Sequence, residues 1–423
     1  MPIITVFYIK LFLSALLTAT IFWTLWKADY FEKWQKKNDL TVYLLGVTLL
    51  RILPWIGIFV ILNFEPRGDV PFFFYKAEHA KLGGFVYRDF WSYHAPLFSY
   101  IISLPLWLWH NPRIIVLLMI VVESIIVWFT YKSYKPIKSN ALQLAFVYLL
   151  LPATFMYIAI DGQEEIWFWG VGIGMLSYLN KKRENYEVGL GLLFALALIT
   201  LKATFVFLLP ALLIVVKRPL RMLFTLAAVG LPLVGFMYYQ IGDLFLMPIR
   251  HTEQLMTPNL FSILRPIIEL FIEINSQNST LVNWVGLFFT LLVPCGAALK
   301  ARNRPINETF PGLFILTFCS MMIFQASAPG AYVISFLVIV VFQLVDVDNW
   351  SDVLIVVALG WLTVVQPFVN VYLGQPEYTS FLFFKEPRYL FDIFLQIANV
   401  LCFLWIVVKA WNDVVKIKTI TTA

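Results

Sequence analysis

Long apolar runs separated by short polar stretches follow one another along the whole chain. Most runs approach the 20 or so apolar residues that a helix needs to cross a bilayer. A membrane β-barrel would instead show shorter segments of alternating polarity. The pattern therefore predicts an all-α polytopic membrane protein of about 12 to 13 spans. The candidate spans are residues 3–26, 40–63, 114–131, 141–160, 165–179, 188–201, 203–216, 222–240, 281–299, 310–326, 330–346, 352–372 and 390–411.

Clusters of lysine and arginine orient the predicted bundle, because short cytoplasmic loops of membrane proteins are enriched in these residues. All the clusters fall on one side if residues 96–109 lie along the membrane as a juxtamembrane helix instead of crossing it. Residues 188–216 must likewise form two short helices that meet near Lys202. The acidic loop 346–352 is then also cytoplasmic. The basic clusters lie at residues 27–37, 132–138, 181–183, 217–221, 300–304 and 409–418.

Composition agrees with this class. Hydrophobic residues make up 61% of the chain and charged residues 13%, whereas soluble domains are about half apolar and one quarter charged. We therefore expect a single membrane domain, residues 1–423, with large external loops at 64–113 and 241–280. The net charge of +6 is explained by the basic loops, so membrane lipids are expected as partners and nucleic acid is not. The three cysteines lie far apart in apolar runs and predict neither a disulfide nor a zinc site.

Two acidic stretches follow predicted spans on the external side. The first, "RGDV", contains Asp69 and follows the span 40–63; the second, "IDGQEEIWFWG", contains Asp161 and follows the span 141–160. The topology places both on one face, close to the membrane surface. Asp161 and Glu165 could hold a divalent cation, although their spacing is not a metal signature. Any chemistry is therefore predicted on the non-cytoplasmic side of a cell membrane.

The stretch "GDV…FYKAEHAKLGGFVYRDFWSYHAPLFSYI" resembles the first external loop of the GT-C superfamily of membrane glycosyltransferases. In that superfamily an aspartate follows the first core helix, and the loop runs into a juxtamembrane helix. "DGQEE" is similar to the second acidic site of these enzymes, and "LKATFVFLLPALLIVVKR" to a later segment with lysine, prolines and a basic pair. The matches occur in the family's order over residues 64–221. Ala95-Pro96 in place of Pro-Pro, and Lys202-Ala203 in place of Lys-Pro, leave open the protein-mannosyltransferase-like and lipid mannosyltransferase branches.

The resemblance implies a GT-C-like fold and inverting transfer of mannose, or a similar hexose or pentose, from a polyprenyl-phosphate donor. The acceptor would be a glycolipid, a polysaccharide or a protein. Since phosphate leaves as an anion, the reaction needs one base for the acceptor proton, and Asp69 is the candidate. Charge on the departing phosphate needs fixed cations, for which Lys202, Arg88 and Arg265 are the candidates. No cofactor is required, and a divalent metal ion is optional.

Sugar recognition needs aromatic faces and hydrogen-bonding side chains, and the predicted external segments contain both. Structural roles compete with these functional ones. Asp161 could cap the helix that follows it, Arg88 could pair with Asp89, and Lys202 could extend to the lipid headgroups. The candidates for substrate binding are Trp91, Glu78, His79, His94, Asp161, Gln163, Glu165 and His251.

Three other functions stay open. A transporter or flippase of lipid-linked glycans would have polar residues along a path between the two membrane faces. The ionisable residues of this chain are instead biased to the external face. A polysaccharide polymerase or ligase would centre its chemistry on Arg250, His251 and Arg265 of the later loop. A non-catalytic partner in envelope assembly is the third alternative.

Arg51 and Glu123 fall in the middle of predicted spans. A charge is costly at that depth and is usually paired or functional. The sequence therefore predicts that these two residues pair with each other, or with a lipid headgroup drawn into a cavity.

Overall fold

The computed structural model describes residues 3–250, 255–275 and 278–416. Over these residues the chain is helical and contains no β-strand. Within the same part of the chain, eight helices are long and apolar enough to cross a membrane, which confirms the predicted all-α, multi-pass class. They are Ile4–Trp26, Asp39–Ile61, Arg113–Tyr134, Pro219–Leu246, Ser279–Ala301, Ile306–Phe324, Trp350–Tyr372 and Pro387–Val415.

The predicted span 141–160 forms two helices in the structure. The helices Ala141–Leu150 and Pro152–Ile160 are bent by 59°, whereas the sequence predicted a continuous span over 141–160. Leu151 has an extended backbone with ψ of 131°, and Pro152 lacks the amide that would continue the helical hydrogen bonds. The remaining predicted spans form shorter apolar helices, so the expected 12 to 13 spans are reached only if these also cross. The shorter helices are Ile166–Leu179, Tyr186–Thr200, Ala203–Val215 and Gly330–Leu344.

The predicted division of residues 188–216 into two helices that meet near Lys202 is confirmed. Lys202 has an extended backbone and lies between Tyr186–Thr200 and Ala203–Val215. Such a break leaves carbonyls at the helix end without their usual donors. Backbone amides of loop 64–113 supply hydrogen bonds instead and so anchor the loop to the break. Ala95 donates to Leu201 at 2.8 Å and Leu97 donates to Ile199 at 2.9 Å.

Loop 64–113 contains two helices. Phe98–Trp107 coincides with the predicted juxtamembrane segment and is too short to span a bilayer. Val70–Lys81 was not predicted. Apolar residues recur on one face of this helix at the spacing of helical turns and pack into the interior. The buried residues of Val70–Lys81 are Val70, Phe73, Lys76, Ala77 and Ala80.

The loops predicted to be cytoplasmic come together at one end of the bundle. The acidic loop 346–352 joins them, because Asp352 at the start of its helix pairs with Lys409. The relative placement of these loops therefore agrees with the topology that the basic residues predicted. The contacts between them include Gln35 with the carbonyl of Lys138 (3.0 Å), Asp39 with Lys135 (2.7 Å), Asn307 with Asn180 (3.2 Å) and Arg304 with the carbonyl of Asp413 (3.0 Å).

The two charges predicted in mid-span form an ion pair, and both side chains are fully buried. Arg51 Nε donates to Glu123 Oε2 at 2.6 Å, and its Nη2 donates to Oε1 at 3.0 Å. Arg51 Nη1 donates to the carbonyl of Leu149 at 2.9 Å, next to the bend at Pro152. Arg51 Nη2 also donates to Thr154 Oγ1 at 3.2 Å. The pairing prediction is confirmed, and the arginine also satisfies polar groups at the broken span.

Candidate functional site

Asp69 directly precedes the helix Val70–Lys81. Its side chain is exposed and makes no capping hydrogen bond to that helix. Its Oδ2 accepts a hydrogen bond from Gln163 Nε2 at 3.0 Å, whereas no described residue donates to Oδ1. One carboxylate oxygen is therefore held in place, and the other is free to accept a hydrogen bond or a proton.

Two glycine turns bring the acidic stretches together. Gly68 and Gly162 have φ values of +64° and +61°, which glycine adopts without the strain that other residues would incur. A Cβ atom at Gly68 would lie 3.6 Å from the Cβ of Asp161, and one at Gly162 would lie 2.7 Å from Val70 Cγ2. The two turns therefore pack against each other. The prediction that Asp69 and Asp161 share one face is confirmed.

A buried group of ionisable side chains, here called the Lys202 cluster, lies close enough to Asp69 to interact electrostatically. Lys202 Nζ is 2.7 Å from Glu164 Oε1 and 2.7 Å from Glu165 Oε1. His94 Nε2 donates to Glu164 Oε1 at 2.7 Å, because a carboxylate oxygen can only accept. The side chains of these four residues are at most 13% exposed. These residues connect loop 64–113, the turn that follows the bent helix pair and the helix break at Lys202.

Burial and neighbouring charges perturb every member of the Lys202 cluster. Burial raises the pKa of Glu164, but the charge of Lys202 and the hydrogen bond from His94 outweigh it and hold the pKa well below its usual range. Burial, with the charge of Glu164, raises the pKa of Glu165 to about 7. Burial lowers the pKa of His94 to about 3, so the ring is neutral at pH 7. Burial alone would lower the pKa of Lys202, yet its two carboxylate partners raise it above its usual range. The ammonium therefore stays charged while Glu165 is poised to gain or lose a proton.

We expect the melting temperature to fall between pH 5 and pH 7.5, and Glu165→Gln to remove part of that fall. The pKa of Glu165 is about 7 in the folded protein, above its ordinary value of 4.5. The folded state therefore holds this proton more tightly, and the resulting stabilisation is lost as the pH rises through about 7. Glu184→Gln, in an exposed turn, is the control. An identical pH dependence in the wild type and Glu165→Gln, measured in detergent, would contradict the assignment.

Asp161 has a separate cation. Lys10, from the first helix, places its Nζ 3.7 Å from Asp161 Oδ2. Burial raises the pKa of Asp161 and the charge of Asp69 adds to the rise, whereas Lys10 opposes it. The helix that begins at Ile166 has Glu165 at its N-cap position and no side-chain cap. The alternative that Asp161 caps this helix is therefore wrong.

Several buried polar atoms of this region have no protein partner among the described residues. Buried polar groups normally make hydrogen bonds, so a local group of exceptions calls for an explanation. These atoms belong to Gln163, which contacts Asp69, to members of the Lys202 cluster and to Trp167, and they can bind water or a ligand. Among the described residues, the unpartnered atoms of this region are His94 Nδ1, Gln163 Oε1, Glu164 Oε2, Glu165 Oε2 and Trp167 Nε1.

The structure brings together Asp69, Asp161, Gln163, Glu165, His94 and Lys202 of the predicted site residues. Lys202 contacts carboxylates rather than extending to the surface. Trp91 is linked to the same region because Lys76 Nζ lies 4.6 Å from its ring centroid. The other predicted residues have partners elsewhere, and His251 lies outside the described residues, as does the side chain of Arg250. The remaining pairs are Arg88 with Asp89 (2.8 Å), Arg265 with Glu269 (2.6 Å) and Glu377 (2.8 Å), Glu78 with His110 (2.9 Å), and His79 Nδ1 with the carbonyl of Tyr75 (2.9 Å).

Four residues of the site were not among the predicted site residues: Lys10, Lys76, Glu164 and Tyr332. Lys10 carries a signal in the sequence, since it is the one charge in the first apolar run. Lys76 can be recognised only once its helix is known, because it then lies on the buried face of that helix. Lys202 Nζ lies 4.6 Å from the ring centroid of Tyr332, which comes from a distant part of the chain and has no local signal. The roles of Lys202, Arg88 and Arg265 in binding phosphate stay predictions.

Among the described residues, no group of three or more histidine, cysteine, aspartate or glutamate side chains is arranged to hold a metal ion. No family model, curated protein or solved structure matches the chain.

Proposed function

We propose that this protein is a membrane glycosyltransferase of GT-C type, which transfers a sugar with inversion from a polyprenyl-phosphate donor at the non-cytoplasmic face. The observation that carries the proposal is the carboxylate of Asp69. One of its oxygens is fixed by Gln163 and the other is free, beside the buried Lys202 cluster. A general base must be held within hydrogen-bond distance of the proton that it removes. The hydrogen bond from Gln163 holds the carboxylate in place, and the other carboxylate oxygen is free to contact an acceptor hydroxyl.

In the proposed reaction, the acceptor oxygen attacks C1 of the sugar from the side opposite the phosphate. The bond between C1 and the phosphate oxygen breaks, and its electron pair leaves with the polyprenyl phosphate. Asp69 Oδ1 takes the proton of the acceptor hydroxyl. The products are the glycosylated acceptor, polyprenyl phosphate and protonated Asp69, which returns its proton to water before the next turnover.

Asp69 suits the role of base better than the neighbouring glutamates. Glu164 shares one oxygen with both Lys202 and His94 and is buried, so its charge is already neutralised. Glu165 is also buried and contacts the same ammonium. Asp69 is exposed and has no cation within ion-pair distance among the described residues. An acceptor can therefore approach it from outside the bundle.

The apolar surface beside the site favours a lipid-linked donor. The juxtamembrane helix Phe98–Trp107 is amphipathic in its packing: Phe98 and Ile102 are buried, whereas Trp107 is 68% exposed and the following Leu108 is 87% exposed. Exposed aromatic and aliphatic side chains of this kind lie in the interfacial layer of a bilayer. A polyprenyl chain can lie along this surface while its phosphate and sugar reach Asp69.

The test is donor turnover by the full-length protein in detergent and in lipid vesicles. Polyprenyl-phosphate-linked mannose, another hexose and a pentose are supplied with a glycolipid acceptor extract, and release of polyprenyl phosphate is followed together with labelled product. We expect at least one donor to be consumed with transfer of its sugar. Movement of an intact lipid-linked sugar across the vesicle membrane, with no donor consumed, would overturn the proposal and indicate a transporter.

A further inference from the structure

Lys76 is a buried cation on the face of its helix that leads from Asp69 into the site. Asp69, Phe73 and Lys76 are spaced by four and three residues and so share one face of Val70–Lys81. Lys76 lies about 10 Å from Asp69 along the helix axis. Lys76 is only 2% exposed to solvent. Its Nζ lies 4.6 Å from the ring centroid of Trp91 and 5.8 Å from that of Phe73.

Among the described residues, the ammonium of Lys76 has no direct counter-charge. No described carboxylate lies within 4.0 Å of it, and no described residue accepts a hydrogen bond from it. The charged groups that act on it from a distance are Glu164 and Asp69, which attract it, and Lys202, which repels it. Burying an ammonium is unfavourable unless it is paired. Burial accordingly lowers the pKa of Lys76 to about 8, which leaves the side chain mostly charged at pH 7.

Apart from Arg67, which is exposed, the other cations near the site are already paired with carboxylates. Lys202 contacts two glutamates, and Lys10 contacts Asp161. Arg88 and Arg265, which the sequence suggested as phosphate ligands, are paired with Asp89 and with Glu269. An incoming anion would have to displace these carboxylates, whereas at Lys76 the anion would itself become the counter-charge.

We infer that Lys76, held against the face of Trp91, binds the phosphate group of a ligand in this site. A lysine acts on phosphate as a point charge with three donors, and the aromatic rings keep its ammonium in place without neutralising it. This inference rests on the proposed function for the lipid part of the ligand: the phosphate would be that of the polyprenyl carrier. Free inorganic phosphate has the same chemistry and is the other source.

The test measures equilibrium binding of radiolabelled polyprenyl phosphate, of the uncharged polyprenol and of inorganic phosphate to the full-length protein in detergent. We expect Lys76→Gln to weaken binding of polyprenyl phosphate about 10- to 100-fold, as expected for loss of a charge-assisted contact. Lys76→Arg should retain it, and polyprenol should bind weakly to all variants. Wild-type binding should decline above about pH 8, and Lys76→Arg should not show this decline because arginine stays charged. Melting temperatures establish that each variant is folded.

Lys81→Gln is the matched control, because Lys81 lies on the same helix and donates to the carbonyl of Leu106 at 2.9 Å. Equal affinity of the wild type and Lys76→Gln for polyprenyl phosphate would overturn the inference and leave the proposed function standing. Binding of inorganic phosphate through Lys76, without binding of the lipid, would support the phosphate site and refute the lipid-linked donor. Failure of the wild type to bind either phosphate would overturn the inference.

Discussion

Replacing Asp69 by asparagine is expected to lower the rate of sugar transfer by about 10²- to 10⁴-fold, the usual contribution of a general base. Asparagine has nearly the same shape and can still contact Gln163, but its side chain cannot take the acceptor proton. Because Asp69 is exposed and makes no capping hydrogen bond, the melting temperature should stay within about 2 °C of the wild type. The measurement is the initial rate of transfer by detergent-purified protein, with donor binding measured separately.

Glu65→Gln is the control for Asp69→Asn, since Glu65 is exposed, lies in the same loop and pairs with Arg113 at 2.6 Å. It should transfer sugar at the wild-type rate. Gln163→Ala should give an intermediate loss of about tenfold, because it frees the carboxylate of Asp69 without removing it. Full transfer activity in Asp69→Asn, with donor binding intact, would exclude Asp69 as the base.

Arg51→Met is expected to lower the free energy of unfolding by about 3–5 kcal/mol, because it leaves the carboxylate of Glu123 buried without a partner. Both side chains are completely buried, so solvent does not screen the lost interaction. The variant also removes the donors to Leu149 and Thr154 beside the bent span. Unfolding in mixed detergent micelles, followed by circular dichroism, measures the loss.

Double substitution separates the ion pair from the other bonds of Arg51. Combining Arg51→Met with Glu123→Met should recover much of the stability, since no charge is then buried alone. Recovery should be incomplete, because the carbonyl of Leu149 still lacks its donor. Exchanging the two residues should also recover only part, since a glutamate at position 51 cannot donate to Leu149. Strictly additive losses in the double variant would contradict a coupled pair.

The parts of the site that could be predicted depend on chain topology. Asp69 and Asp161 follow apolar runs, and the distribution of basic loops places both runs' ends on one face, where the structure finds them packed together. Lys202 was likewise predicted at the same end, because 188–216 is too long for one span and carries basic residues at both ends. These predictions rest on the free-energy cost of burying polar backbone and charge in a bilayer, and on the enrichment of basic residues in cytoplasmic loops.

The partners within the site could not be predicted in the same way. Lys202 was expected to bind phosphate, yet its nearest anions are Glu164 and Glu165. Lys76 is instead a buried cation that no described carboxylate contacts. Which ammonium meets which carboxylate depends on side-chain distances of a few ångströms. Such distances are set by how helices far apart in the sequence pack, and no local pattern encodes them.

The sequence by itself determined the class of the protein, the position of most spans and the end of the bundle at which the acidic stretches meet. Each of these follows from transfer of apolar segments into lipid, which depends on local composition. The tertiary structure decided the bend at Pro152 and the helix Val70–Lys81. It decided between the two partners that the sequence allowed for Arg51, which pairs with Glu123. It also decided that Asp69 keeps a free oxygen while the neighbouring glutamates are neutralised. These features arise where distant segments compete for the same hydrogen bonds and counter-charges, and only the folded chain settles that competition.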